Sequence, residues 1–117
     1  MKKSIPSSTV FIRDVANHLN SLKPMEIKNN LIDLLKQIDL KRDFGEYTMT
    51  ELQKIAEKAI KVMEAHKPES ESIIELKESI KLSDKFHKEN SYKNVDNIMN
   101  VLRSTKFAIE SFLYKEF

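Results

Sequence analysis

Residues 48–68 read TMTELQKIAEKAIKVMEAHKP, and this stretch decides the fold. Leu52, Ile55, Ala56, Ala59, Ile60, Val62 and Met63 recur at the three- and four-residue steps of a helix face. The apolar face is wide, which predicts a helix near the centre of an assembly of helices. Thr48 and Glu51 stand in the capping-box relation, and Thr50 with Gln53 offers a second register. Lys67-Pro68 marks the far end, because proline cannot continue a helix interior.

The same reading extends in both directions. Upstream, Pro24 opens a helix expected over 24–43, with Ile27, Leu31, Leu34, Leu35 and Ile38 inward. Lys41 and Arg42 would sit in its last turn, and Gly45, the only glycine, would supply a left-handed stop. Residues 9–22 predict a further helix capped by Ser7 or Ser8, with Phe11, Val15, Leu19 and Leu22 on one stripe. Residues 1–7 read as a loosely ordered lead.

Downstream, a helix is expected over 69–88 with Ile73, Leu76, Ile80 and Phe86 inward. Another is expected over 92–114 with Val95, Ile98, Met99, Leu102, Ile109 and Leu113 inward. Phe107, Phe112, Tyr114 and Phe117 predict a packed C-terminal end. No stretch alternates with period two, so no sheet is expected. The expected fold is all-α: one compact domain over 1–117, a bundle of four to five helices with short connections. The 24–43, 48–67 and 92–114 helices should form its core.

Composition narrows the functions. One glycine leaves no material for a phosphate-cradling loop or a nucleophile elbow. With no cysteine there is no disulfide, zinc–thiolate site or thiol nucleophile. Twenty basic residues face eighteen acidic ones, and neither sign gathers into a tail. Only Arg13, Arg42 and Arg103 are arginines, which argues against nucleic acid as the partner. Met1-Lys-Lys3 is followed by Ser4, Pro6, Ser7 and Ser8 where a secretory leader needs an apolar run. A cytoplasmic protein with no membrane span, no cofactor and no metal is therefore expected.

Candidate sites are few. Asp43-Phe-Gly-Glu-Tyr47 is the one expected loop with two aromatic residues, so Asp43, Phe44, Glu46 and Tyr47 are candidates for binding a partner protein. The alternative is that Phe44 or Tyr47 folds back over a helix end. Gln53, Lys54, Lys58 and Lys61 would point outward from the helix at about 51–66, as a DNA-binding helix requires, although Glu51 and Glu57 lie near that face. Asp14 with His18 and Asp84 with His87 share helix faces, but a di-iron bundle also needs inward glutamates, which are not evident. His66 reads as a cation at a helix C-terminus.

Arg13-Asp-Val-Ala-Asn-His18 resembles the arginine, four-residue spacer, histidine pattern of the HEPN ribonuclease family. The resemblance implies cleavage of RNA at a dimer interface, with Arg13 stabilising phosphate charge and His18 moving a proton. It covers six residues, in the first expected helix, whereas the family carries the motif late in its domain. Five residues apart, the two side chains lie about 500° around a helix.

These readings converge on a non-catalytic helical module that binds another protein. The concrete expectation is a small inhibitor of the toxin-immunity or antitoxin kind that occludes its partner. A DNA-binding regulator is the alternative and an HEPN-like ribonuclease the remote one. Homo-oligomerisation stays open.

Overall fold

The computed structural model describes residues 23–41 and 43–117. The expected 1–7 lead and 9–22 helix, with Arg13 and His18, lie outside the described residues, as does Arg42. Among the described residues the chain forms four helices and no strand: α1 (Pro24–Asp39), α2 (Thr48–His66), α3 (Glu71–Lys88) and α4 (Val95–Glu116). The protein is an all-α bundle.

Each helix begins where local chemistry permits. Lys23 is extended, and Pro24 takes the first turn, where its missing N–H costs nothing. Ser70 caps α3 by accepting from the Ser72 N–H, and Asn94 caps α4 by accepting from the Asn97 N–H. The capping box expected at α2 does not form. Thr48 Oγ1 instead accepts from the Gly45 N–H at 2.8 Å, and the Glu51 carboxylate reaches Lys41 Nζ at 3.0 Å.

α2 and α4 each pack against all three other helices, whereas α1 and α3 do not meet. The 48–66 segment is central, as its apolar face requires. The 71–88 helix was expected outside the core, yet its packing against α4 is the most extensive in the bundle. The reason is small side chains. Ser72, Ser79 and Ser83 are buried on its inner face beside Ile73, Leu76 and Phe86. The Ser79 and Ser104 hydroxyls bond across the α3–α4 seam, and Ser83 Oγ donates to Gln53 Oε1 of α2 at 2.9 Å.

α4 buries Ile98, Val101, Thr105, Ala108, Ile109 and Phe112, while Val95, expected inward, is 55% exposed at the start of the helix. The C-terminal end is packed only in part. Phe117 stacks on His66 at 4.7 Å and meets Phe112 edge-on, but Phe107 and Tyr114 face outward. On the other side of α4, Lys106 Nζ donates to Asp39 at 2.9 Å. That hydrogen bond, with the carboxylate charge, holds the Lys106 ammonium above its usual pKa.

Two connections differ from the sequence reading. α1 ends at Asp39, and Leu40 follows in right-handed conformation, so Lys41 lies beyond the last turn. No glycine has a positive φ; the left-handed residue is Asn90, at φ 55. It follows α3 with both bonds of a Schellman motif: the Ser91 N–H donates to the Phe86 carbonyl at 2.8 Å and the Asn90 N–H to the His87 carbonyl at 3.1 Å.

Candidate protein-interaction surface

The loop 40–47 separates its side chains by role. Phe44 is half-buried and packs against the core, holding the loop to the bundle. Tyr47, 71% exposed, and Leu40, 75% exposed, project into solvent, with Asp43 and Glu46 exposed beside them. The loop thus offers an aromatic ring and an aliphatic side chain flanked by two carboxylates. Phe44 supplies support rather than contact area. Leu40 was not foreseen as part of it, because the sequence reading placed it inside a longer helix.

On α3 and α4 three large apolar side chains are exposed among charged neighbours. Phe107 is 61% exposed, Tyr114 90% and Ile74 60%. Phe107 and Tyr114 are seven residues apart, two helical turns, so they stand on one face of α4. Beside Phe107, the α3–α4 seam opens into a cleft of about 290 Å³ lined by Glu75, Glu78, Ser79, Leu82, Ser104 and Phe107. The serine–serine contact at its floor lets the helices approach closely, which leaves the larger side chains as its walls. The signal in the sequence was an aromatic count at the C-terminus. Its assignment to packing failed because two of the four rings sit on the outer face of α4.

A third surface follows the seam between α1 and α2. One cleft of about 360 Å³ includes Asn30, Asp33, Gln37, Lys58 and Lys61 in its lining, with Leu34 and Val62. A second, of about 250 Å³, shares Gln37 and Lys58 and adds Lys41, Glu51 and Lys54 over Ile55. The residues expected on a DNA-reading face are therefore divided. Lys54, Lys58 and Lys61 border this groove, while Gln53 is half-buried and accepts a hydrogen bond from Ser83.

The two described histidines, His66 and His87, take structural roles. His87 Nδ1 donates to the Ser83 carbonyl at 2.9 Å, which puts the ring proton on Nδ1 and leaves Nε2 to accept from Thr50 Oγ1 at 3.3 Å. Its ring stacks on Tyr92 at 4.9 Å. His66 is held between Phe117 and Phe112. Among the described residues no three His, Asp or Glu side chains gather as metal ligands. No helix among them is long and apolar enough to cross a membrane. The chain matches no protein-family model, no curated protein and no solved structure.

Proposed function

We propose that this chain is a non-catalytic helical module that binds another protein, a small cytoplasmic inhibitor of the toxin-immunity or antitoxin kind acting by occlusion. The observation that carries the reading is the exposed aromatic pair on α4, Phe107 and Tyr114, which stand two turns apart on one side of the helix with the charged Arg103 and Glu110 beside them. Water-exposed aromatic area of this kind is costly, and its burial against a partner recovers about 25 cal/mol per Å² before association costs. Aromatic side chains on rigid helices also lose little freedom on binding, which suits them as anchors. Occlusion needs no moving part, only a rigid surface larger than the partner's working site. The loop residues Asp43, Glu46 and Tyr47 form a second contact, held in place by Phe44.

The DNA-binding alternative has less support, because Gln53 is engaged by Ser83 and Glu51 shares the lysine-bearing groove. Capture from the native host with the wild-type chain and with Phe107→Glu/Tyr114→Glu tests the choice. One protein retained in stoichiometric amount by the wild type, and lost with the double variant, is the expected result. Recovery of nucleic acid alone would overturn the reading.

A further inference from the structure

One stripe of α4 stays exposed over about four turns. Asn100, Arg103, Phe107, Glu110 and Tyr114 follow one another at steps of three, four, three and four residues, and all five are open to solvent. That spacing is the spacing of a helix–helix seam. Neither charge on the stripe belongs to an ion pair. The four pairs among the described residues are Lys41–Glu51, Lys67–Glu69, Lys81–Glu78 and Lys106–Asp39. Lys106, one turn before Glu110, is held by Asp39 at 2.9 Å.

The order of the residues identifies the occupant. Arg103 lies four residues before Phe107, and Glu110 three after it. Turned over about a two-fold axis at Phe107, the stripe meets itself with unlike groups opposed. Arg103 faces Glu110 twice, Phe107 faces its own copy, and Tyr114 faces Asn100. The one-residue offset between Arg103 and Glu110 is about 1.5 Å along the helix, within the reach of an arginine side chain. A parallel pairing sets Arg103 against Arg103 and Glu110 against Glu110. An isologous interface requires self-complementarity of this kind, whereas a surface made for a different protein needs none.

We infer that a second copy of this chain docks antiparallel on α4 through this stripe. The cleft of about 290 Å³ beside Phe107 seats the other copy's ring against Leu82. Glu78, on the α3 wall of that cleft, is paired with Lys81 at 3.5 Å, which offsets its charge. One helix face with exposed ion pairs makes a small interface, so the association is weak and concentration-dependent. The inference goes beyond the protein-binding reading and does not depend on it. Where both hold, the second copy and the partner protein compete for Phe107 and Tyr114.

Sedimentation equilibrium of the full chain from roughly 10 μM to 1 mM should show a monomer–dimer equilibrium. Arg103→Glu alone, or Glu110→Arg alone, sets like charges in both contacts and should weaken association roughly tenfold. An equimolar mixture of the two variants restores both unlike pairs in a heterodimer and should recover the wild-type association. The double exchange Arg103→Glu/Glu110→Arg should do the same within one chain. Phe107→Glu should remain monomeric throughout. Far-ultraviolet CD of each variant checks that the helices are intact.

A wild-type chain that is monomeric across the range overturns the inference. So does self-association that the single variants leave intact, or a weakening that mixing does not restore. Capture of a host protein by a chain that is monomeric at all concentrations would remove this inference and leave the protein-binding reading standing. A dimer restored by mixing, with no host protein captured, would do the reverse.

Discussion

The connection between α1 and α2 and the connection between α3 and α4 lie at the same end of the bundle, yet they are built differently. Residues 89–94 are fixed at every step. Asn90 is left-handed, the two Schellman bonds close the end of α3, Asn97 Nδ2 donates to the Ser91 carbonyl at 3.0 Å, and Tyr92 stacks on His87. The described residues of 40–47 have one packed aromatic, Phe44, the Gly45 N–H bond to the Thr48 hydroxyl and the Lys41–Glu51 ion pair, and their backbone bonds run to the helix ends: Leu40 and Lys41 donate to α1, and the Gly45 and Tyr47 carbonyls accept from α2. The first connection is structural and the second is a candidate binding loop. Segments with few buried contacts are the ones a protein can reshape on binding at small cost.

The largest effect should come from His87, which ties α2, α3 and the 89–94 connection together. His87→Ala removes the contact with Thr50, the bond to the Ser83 carbonyl and the Tyr92 stack. We expect a loss of about 1–2 kcal/mol, read as a lower denaturant midpoint with unchanged slope. Asn90→Ala comes next, at about 1 kcal/mol, because an alanine Cβ is strained at positive φ, whereas Asn90→Gly should hold or gain stability. Asn94→Ala removes the α4 cap and should cost about 0.5–1 kcal/mol in the same denaturation assay. If the three losses were no larger than those from comparable changes in 40–47, the contrast between the two connections would fail.

How far this was visible in the sequence depends on side-chain size. The α2 face of Leu52, Ile55, Ala56, Ala59 and Met63 is legible because large apolar residues at helical spacing have few other uses. Ser72, Ser79 and Ser83 carry the same spacing on α3, but serine reads as a surface residue. Only its partners across the seam reveal it as a close-packing residue. The outward turn of Phe107 was hidden for the converse reason. An aromatic residue reads as core, and its side of α4 is set by the register of Val101, Thr105, Ala108 and Phe112. Asn90 gives a weaker signal than Gly45, because glycine takes a positive φ at no steric cost and asparagine less often. Of the candidate loop, the sequence identified Asp43, Phe44, Glu46 and Tyr47 but could not separate Phe44 as anchor from Tyr47 as contact, since that depends on the exit angle of α1.

Tyr47→Ala sharpens the contrast from the functional side. An exposed ring without a core contact should change stability by less than about 0.5 kcal/mol. If the loop is a second contact, the same variant weakens capture of the protein partner with no change in melting temperature. Unimpaired capture would restrict binding to the side of α4 that carries Phe107 and Tyr114.

Gly45→Ala should have the smallest effect, and its sign is the informative part. From the sequence, a left-handed stop at Gly45 predicts a loss of roughly 1 kcal/mol on substitution. In the structure φ is not positive, and an added Cβ meets no atom within 4 Å. The Gly45 N–H that donates to Thr48 Oγ1 is kept by alanine. What remains is the unfolded chain, which loses freedom when glycine becomes alanine, so stability should hold or rise by about half a kcal/mol. Thermal melts of Gly45→Ala beside Asn90→Ala put the two turns on one scale. A fall at both positions would mean that both connections depend on left-handed residues. A fall at Asn90 alone assigns the constraint to the end of α3 and leaves 40–47 free to adapt to a partner.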